Sequence, residues 1–589
     1  MPPNRLFHAL ALGLLLACAA CDDKPGVPPD GGIPPGGNPG PPVPPVPPAP
    51  GLTEWTQVGG SAAHRGAIDV TAQAPARILA DIVYDPFVGQ ETDPVTTDGT
   101  LLIHYQAPLV MGDDVYVQRK SGAYTACQGT PSSCTAADYE TQVWNESHYR
   151  WVDGQLVHQW DYASDWKPAL GLGFEQMFHA AVYGDVLYVP GASGTLHKVD
   201  RRTGQRLSLI RPLAAEPGTR LHVAGPPTID GAGNVFYNVI QFAQEQPFQQ
   251  DVQAWLVRVS PADETRTVRY VDLVVGAEAP DALCYTSFPS SAPRPLPPPP
   301  NPDGSPALPP LAPCSSQRPG MNVAPAVGAD GTVFTVSRAH RNPRYSYLVA
   351  LDPDLSTKWA RSLRDLFDDG CGVLVQCRDG ATLGVDPSTN QRPAGQVQDS
   401  ATSSPVVLPD GDVLYGTWSG YNGSRGHLVK LRGGTGEVLA SFGFGWDITP
   451  AVWAHDNTYS ILLKENHYAS LPEDERFYVT QLDGNLQVEW QFRATNTQVC
   501  ERSESGQVTC RTESANGQEW CINAPAVDRE GTVHVASEDG SLYQIGQGGV
   551  ERGRTFLQRA LRSGYTPVVL DAQGRIYSMN AGHLFVLGQ

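Results

Sequence analysis

The sequence feature that most constrains the fold is a short repeated unit, seen in its simplest form at Asn523–Ile545. It reads NAPAVDREGTVHVASEDGSLYQI, in which a proline precedes two apolar residues and two later runs alternate apolar with polar residues. Arg529-Glu530-Gly531 and Asp539-Gly540 separate the runs, and turns of this composition join antiparallel strands. The unit therefore predicts three short strands connected by two tight turns.

The unit occurs eight times, and a further strand that often carries a tryptophan follows most copies. The copies begin at Ala107, His179, Gly225, Ala324, Ser404, Thr449, Asn523 and Thr566. The last copy reaches the chain end without its fourth strand, and the apolar run Arg77–Tyr84 lies ahead of the first copy, where it can replace that strand. Such closure covers the edges that an open sheet leaves exposed. We therefore predict an all-β fold, an eight-bladed β-propeller whose N-terminal strand closes the last blade.

The repeat resembles the PQQ-like, or quinoprotein-alcohol-dehydrogenase-like, propeller family. The pattern of proline, apolar pair, Asp-Gly and Val-x-Val strands is met by Ser404–Phe442 and Asn523–Ile545, and Trp55–Gly66 is similar to the segment that opens such domains. The resemblance covers residues 52–589, which we take as one propeller domain. The family includes quinone-dependent dehydrogenases and non-enzymatic scaffolds, among them the propeller lipoprotein of the outer-membrane β-barrel assembly machinery. The resemblance therefore implies the fold more strongly than a function.

Residues 1–21 are predicted to be the signal peptide of a bacterial lipoprotein. Arg5 precedes the apolar run Leu6–Ala17, which is too short to span a bilayer. Leu15-Leu16-Ala17-Cys18 resembles a lipobox, so Cys18 is the expected lipidation site and Cys21 the alternative; an ordinary secretory signal cleaved near Ala20 is the other reading. Residues 22–51 are rich in proline and glycine and predict an extended tether. We expect an exported protein of the cell envelope, on the periplasmic or surface side of the outer membrane.

The charge balance narrows the classes of partner. The chain has 41 basic and 61 acidic residues, a formal net charge of −20, and no cluster of Lys and Arg in its sequence. An acidic chain of this kind does not favour nucleic acid or an anionic membrane surface. We therefore expect contact with the membrane through the N-terminal lipid alone.

Eight blades of about 45 residues leave many residues over, and these lie in insertions. They follow either the second or the fourth strand of a blade, at 121–139, 161–178, 241–251, 276–322, 366–402, 419–425, 465–475 and 495–522. Because the chain reverses direction at each strand, both kinds of insertion emerge on one side of the disc, here called the insertion face. Loops gathered on one face of a scaffold commonly carry function. Candidate binding residues on this face are Trp166, Trp418, Tyr421, Arg425, Trp446 and Asp447; the alternative is that they pack the loops or cap the central channel.

Nine cysteines lie within these insertions, and an exported protein favours disulfides between them. We predict Cys127–Cys134, Cys284–Cys314 and Cys371–Cys377. Cys500 is expected to pair with Cys510 or Cys521, and the remaining cysteine either stays free or pairs with Cys21. No cysteine or histidine spacing is typical of a metal site.

The motifs of known enzymes are missing from the sequence. Quinoprotein enzymes of the family resembled here typically carry adjacent cysteines and, in several branches, a CxxCH haem motif, and the chain contains neither. It also lacks G-x-S-x-G, H-E-x-x-H and the EF-hand spacing. We therefore expect no catalytic residue, cofactor or metal. The predicted function is that of a monomeric, non-catalytic, lipid-anchored scaffold or binding protein that presents its insertion face to a protein or glycan; the alternative is a quinoprotein-like oxidoreductase with an atypical cofactor site.

Overall fold

The computed structural model describes thirteen stretches of the chain: 51–91, 102–103, 107–127, 134–172, 174–244, 248–419, 426–444, 448–469, 472–503, 505–512, 515–520, 524–559 and 567–589. The predicted signal peptide and all but the last residue of the predicted tether lie outside these residues.

Eight antiparallel sheets form the blades of a β-propeller, and each is built from strands that are consecutive in the chain except where the ring closes. Blade 1 consists of Leu109–Met111, Asp114–Gly122, Gln142–Val152 and Gln155–Ser164, and blade 2 of Ala181–Tyr183, Val186–Pro190, Leu196–Asp200 and Arg206–Ile210. Blade 3 consists of Thr219–Val223 with Thr228–Ile229, Val235–Ala243, Gln253–Val259 and Thr265–Arg269. Blade 4 consists of Gln317–Arg318 with Ala326–Val327, Val333–Ala339, Ser346–Leu351 and Thr357–Ser362. Blade 5 consists of Val406–Val407, Val413–Trp418, Gly426–Leu431 and Val438–Phe442. Blade 6 consists of Ala451–His455, Thr458–His467, Arg476–Asp483 and Val488–Arg493. Blade 7 consists of Ala526–Val527, Val533–Ala536, Ser541–Gly546 and Val550–Phe556. Blade 8 contains Val568–Leu570, Ile576–Asn580 and His583–Gly588.

The fourth strand of blade 8 comes from the other end of the chain. Arg77–Val83 pairs antiparallel with His583–Gly588, with Arg77 opposite Gly588 and Val83 opposite His583. This confirms the predicted closure of the ring by the N-terminal strand. The eight-bladed fold predicted from the repeats is confirmed with it.

The tight turns between first and second strands depend on an aspartate. In blade 7 the Asp528 carboxylate accepts hydrogen bonds from the backbone N–H groups of Glu530 (3.0 Å) and Thr532 (2.9 Å). Gly531 in the same turn has a φ of +72°, in the left-handed region that glycine adopts without a steric cost. The aspartate and glycine of the repeat therefore fix the turn chemically, which explains why the pattern is so regular.

Neighbouring blades are joined by tryptophans of the fourth strands. The Trp359 indole N–H of blade 4 donates to the Gly433 carbonyl of blade 5 at 2.8 Å, and its ring lies against Gly436. Trp160 lies against Gly204 of the following blade in the same way. The faces of the blades are otherwise apolar, with buried clusters such as Val406, Val452 and Ile461 between blades 5 and 6. Trp160 and Trp359 therefore dock blades 1 and 4 onto the blades that follow them.

Few elements lie outside the blades. Two antiparallel ribbons are formed by Leu283–Tyr285 with Leu311–Pro313 and by Gln498–Arg502 with Val508–Thr512, and Leu102–Ile103 runs parallel to Phe174–Glu175. The described α-helices are the short segments Val88–Glu91, Ala136–Glu140 and Tyr270–Leu273, with 3-10 turns at Ala192–Gly194 and Pro472–Asp474. Within the described ranges, no helix has the length and apolar character needed to cross a membrane.

Candidate functional site

The segment 55–73, here called the clasp, binds the innermost strands of the blades in order around the ring. Its carbonyl and side-chain oxygens accept hydrogen bonds from these strands in seven pairs: Val110 to Trp55 (2.7 Å), Val182 to Thr56 (2.8 Å), Ile229 to the Gln57 side chain (2.7 Å), Val327 to Ala62 (2.7 Å), Val407 to Ala63 (3.0 Å), Val452 to Arg65 (2.7 Å) and Val527 to Gly66 (2.8 Å). Blade 8 completes the circuit, because the Gln73 N–H donates to the Gly574 carbonyl at 2.8 Å. The clasp therefore contacts all eight blades.

The clasp lies on the face opposite the insertions. Each of the strand residues that it binds comes just before the tight turn to the second strand, so the clasp covers the axis on the tight-turn side. His64 reaches inward from the clasp and is fully buried. Its ring nitrogens contact the Pro405 carbonyl at 2.9 Å and the Thr228 hydroxyl at 3.1 Å, which links blades 3 and 5. Burial lowers the pKa of His64 to about 4, so the ring is neutral at pH 7.

On the insertion face, the two longest insertions, 276–322 and 366–402, join into one body, here called the cap. The Phe288 N–H donates to the Ser388 carbonyl at 2.8 Å, and the Arg378 N–H donates to the Leu296 carbonyl at 3.0 Å. The Asn390 side chain donates to the Ala307 carbonyl at 3.0 Å. The disulfides Cys284–Cys314 and Cys371–Cys377 close one loop in each insertion. Two segments that are distant in sequence are therefore joined by hydrogen bonds into a single structure, and a disulfide closes a loop within each.

The cap is fixed to blade 4 through the turn between its second and third strands. The Tyr345 hydroxyl accepts a hydrogen bond from the Tyr285 N–H at 2.9 Å, and the Asn342 side chain donates to the Tyr285 carbonyl at 2.8 Å. Arg344 donates to the Ser287 hydroxyl at 2.8 Å. These contacts hold one edge of the cap ribbon, so the cap has a defined position on the propeller.

The outer surface of the cap exposes large apolar side chains. Leu383 is 72% exposed, and Leu311 of the cap ribbon is 48% exposed. Leu283, on the partner strand of that ribbon, is also exposed. Folding gains nothing from apolar side chains left in water, and exposed apolar patches on a soluble protein commonly mark contact surfaces. The cap therefore combines a fixed position with an apolar outer surface.

A buried charge cluster lies beneath the cap. The Arg318 guanidinium donates two hydrogen bonds of 2.6 Å to the Asp399 carboxylate. Arg338 forms an ion pair with the same carboxylate at 3.0 Å. Burial alone would raise the pKa of Asp399, but the charges of Arg318 and Arg338 outweigh it and hold that pKa well below its usual range. The cluster joins the innermost segment of blade 4 to the cap insertion that leads into blade 5. It is a paired, structural arrangement.

A second buried cluster surrounds Lys120 on the second strand of blade 1. The ammonium group lies 3.0 Å from Asp85, 2.9 Å from Glu91 and 2.7 Å from Glu175, and all four side chains are buried. Burial raises the pKa of Glu91 and of Glu175, whereas the three carboxylates overcome the effect of burial and raise the pKa of Lys120. The lysine thus joins the chain that follows the closing strand to blade 1 and to the loop before blade 2.

The alternative function implies a site for calcium and quinone. The Lys120 ammonium occupies the centre of the carboxylates, so they do not fit a cation. In the part of the chain that the structure describes, no group of three or more His, Cys, Asp or Glu is arranged to hold a metal ion. The described acidic residues therefore do not form the site that this alternative requires.

The candidate binding residues have different surroundings. Trp166 is 2% exposed and packs edge-to-face on Trp144 at 5.4 Å, so its ring fastens the insertion to the core. Trp418 ends the second strand of blade 5, and its backbone exchanges two hydrogen bonds with Gln396 of the cap. The structure does not bring these two tryptophans together, because they belong to distant blades. Tyr421, Arg425, Trp446 and Asp447 lie outside the described residues, as do Cys18 and Cys21; their proposed roles stay predictions.

The disulfide predictions are confirmed for the described cysteines. Cys127–Cys134, Cys284–Cys314 and Cys371–Cys377 are bonded as expected. Of the two partners left open for Cys500, the structure selects Cys510, which stands directly opposite it in a ribbon. Cys521 lies outside the described residues.

The two charge clusters could not be found from sequence spacing, because their members are far apart in the chain. The one available indication was a charged residue within a strand of otherwise buried character: Lys120 ends the run Val-Tyr-Val-Gln-Arg-Lys. A lysine there is costly to bury unless a partner neutralises it. This indication points to a buried ion pair without identifying the carboxylates.

Comparisons with known proteins give no match in sequence and several similar structures. No protein-family model matches the chain, and no curated protein matches it in sequence. Similar solved structures include a europium-containing methanol dehydrogenase (11% identity, TM-score 0.47, 90% of this chain and 89% of that one) and the quinohemoprotein alcohol dehydrogenase of Comamonas testosteroni (10%, 0.47, 91% and 81%). BamB from Moraxella catarrhalis is similar at 12% identity and a TM-score of 0.40, over 87% of this chain and 99% of that one.

The fold is that of a PQQ-like β-propeller. The eight blades and their closure carry this conclusion, which confirms the fold that the resemblance implied. At 10–12% identity the likeness is one of fold alone. Function must therefore be argued from this chain's own surfaces.

Proposed function

We propose that this chain is an exported, lipid-anchored, non-catalytic binding protein that presents its insertion face to a protein partner at the cell envelope. The observation that carries the proposal is the cap: hydrogen bonds join two separate insertions into one body, and this body exposes apolar side chains. A surface fixed before binding loses little conformational entropy on association. A glycan is the less favoured partner, because aliphatic side chains such as Leu311 and Leu383 offer no hydrogen bonds to sugar hydroxyls.

Two further features support the proposal. Four disulfides suit an exported protein, since they persist in oxidising compartments. The clasp covers the axis on the tight-turn face, whereas the long loops that could contact a partner lie on the insertion face.

The test is photo-crosslinking in intact cells, with a photoreactive amino acid placed at Leu311 or Leu383 of the cap. Val488 provides the control, because it is 47% exposed, nearly the same as Leu311 at 48%, but begins its strand next to a turn on the tight-turn face. We expect a discrete crosslinked protein from the cap positions and none from Val488. Crosslinks of equal yield at Val488, or none at either cap position, would reject the cap as the binding surface.

A titration with PQQ distinguishes the oxidoreductase alternative from the proposed non-catalytic function. Purified protein is incubated with PQQ and calcium, and binding stoichiometry and dye-linked alcohol oxidation are measured. Stoichiometric PQQ binding accompanied by alcohol oxidation would overturn the non-catalytic proposal. We expect neither, since the buried carboxylates already hold Lys120.

A further inference from the structure

A groove lies at the outer rim of the disc, between the fourth strand of blade 4 and the turn that leads into the fourth strand of blade 5. Residues 359–361 and 435–438 line it, and its volume is about 420 Å³. Pockets for small ligands commonly have volumes of about 300–1,000 Å³. The groove, here called the rim groove, is therefore large enough for a small ligand, and it shares no lining residue with the cap or the clasp.

The rim groove lies where other blades place an aromatic ring. The fourth strands of blades 1, 4, 5 and 6 each contain a register shift, which aligns them position by position. Relative to that shift, the position of Arg361 in blade 4 is taken by Tyr162 in blade 1, Phe442 in blade 5 and Phe492 in blade 6. These three rings are partly buried and pack on the apolar clusters between blades, whereas Arg361 is exposed. Blade 4 therefore has a cation where three other blades have packing.

The cation on the blade 4 wall is available to a ligand. Among the residues that the structure describes, none forms an ion pair or a hydrogen bond with the Arg361 side chain. A guanidinium carries five N–H donors in a planar fork that matches a carboxylate. The Trp359 ring lines the same wall and is only partly buried. This wall therefore offers an aromatic surface beside an unpaired positive charge.

The blade 5 wall supplies hydrogen-bond acceptors. The Thr435 hydroxyl accepts only a long hydrogen bond, of 3.4 Å, from the Glu437 N–H. The Glu437 carboxylate accepts a hydrogen bond from Arg432 at 3.0 Å, and both side chains stay exposed. A carboxylate has about four lone-pair sites, so this one can accept further hydrogen bonds. The two walls together suit a ligand that carries both a carboxylate and hydroxyl groups.

We propose that the rim groove binds a hexuronic acid residue of a glycan. Arg361 binds the sugar carboxylate through charge-assisted hydrogen bonds, and Thr435 and Glu437 bind the sugar hydroxyls. The Trp359 ring packs against the apolar C–H face of the sugar. A neutral sugar would leave Arg361 without a partner, and an aromatic acid would offer no hydroxyl groups to the blade 5 wall. A uronic acid therefore matches the whole groove.

The test is isothermal titration calorimetry of digalacturonic acid into the full mature protein. Because the chain has a net charge of −20, its long-range field does not attract an acidic ligand, and the attraction must come from Arg361. Arg361→Gln removes this charge. Arg493→Gln is the matched control, since Arg493 is also exposed in a fourth strand and its side chain has no described partner, but it belongs to blade 6. We expect one ligand per chain, at least tenfold weaker binding with Arg361→Gln, and binding within about threefold of the parent with Arg493→Gln.

Arg361→Phe gives a second test, because it places in blade 4 the kind of side chain that blades 1, 5 and 6 carry at this position. The ring should fill the rim groove and abolish binding, while the midpoint of urea-induced unfolding stays the same or rises. Retained binding in this variant would place the site elsewhere.

Four further results would overturn the inference. They are the absence of binding at millimolar digalacturonic acid, equal affinity in Arg361→Gln and Arg493→Gln, and equal affinity for maltose, which lacks the carboxylate. The fourth is binding of phenylacetate without binding of digalacturonic acid, which would assign the rim groove to an aromatic acid. None of these results bears on the cap, so the crosslinking at Leu311 and Leu383 tests the proposed function separately.

Discussion

The docking of Trp359 against Gly436 can be tested by adding a single methyl group. Gly436 has a φ of +70°, and a Cβ placed there would lie 2.7 Å from Cε3 and 2.8 Å from Cδ2 of the Trp359 ring. Gly436→Ala therefore carries two costs. The left-handed conformation costs a non-glycine residue about 1–2 kcal/mol, and displacing the ring costs a further ~1–3 kcal/mol, which includes weakening the indole hydrogen bond to the Gly433 carbonyl.

Gly411 in the same blade separates these two costs. Its φ is +85°, but nothing lies within 4 Å of the position that a Cβ would take. Gly411→Ala should therefore lower the free energy of unfolding by about 1–2 kcal/mol, and Gly436→Ala by about 1–3 kcal/mol more. Urea-induced unfolding followed by far-UV circular dichroism measures both, with disulfides intact. In a Trp359→Ala background the difference between the two alanine variants should disappear, because the ring that the methyl group meets is gone. Equal losses for Gly436→Ala and Gly411→Ala in the parent protein would refute the docking argument.

The other predictions concern buried contacts that join distant parts of the chain. Lys120→Met should destabilise the fold by about 3–5 kcal/mol, since it removes the buried cation that Asp85, Glu91 and Glu175 share. Folding raises the pKa of Glu91 and of Glu175, so the variant should lose stability as pH rises above the unfolded value of these groups; urea midpoints at pH 5 and pH 8 check this, and a higher midpoint at pH 8 would contradict it. Gln57→Ala removes both hydrogen bonds to the buried Ile229 and should cost about 2 kcal/mol in the same unfolding assay. Gln73→Ala is the control, since it removes two hydrogen bonds of a half-buried clasp side chain at the surface and should cost less. Joint replacement of Cys284 and Cys314 by serine opens a loop of 30 residues and should cost about 3–4 kcal/mol, with proteolysis beginning in the cap; cleavage elsewhere first would argue against the cap as the affected unit.

Parts of the predicted site depended only on short-range chemistry. The pairings Cys127–Cys134 and Cys371–Cys377 followed from their close spacing within single loops. For Cys500, the sequence left two partners open, Cys510 and Cys521, and only the ribbon register placed Cys510 opposite it. The burial of Trp166 could not be predicted from its place in the sequence. It belongs to an insertion, yet packing against Trp144 buries it. A pattern of residue types identifies which loops are long, but not which of their side chains turn inward.

The sequence by itself determined the eight blades and the closure of the ring by Arg77–Val83. These features follow from alternation along each strand and from aspartate–glycine turns, whose hydrogen bonds involve residues two to four positions apart. Only the tertiary structure decided the clasp, the cap and the charge clusters. Gln57 meets Ile229 across 172 positions, and Arg318 meets Asp399 across 81. Contacts of this span arise when the ring brings distant segments to one axis or one face, so no local pattern of side chains encodes them.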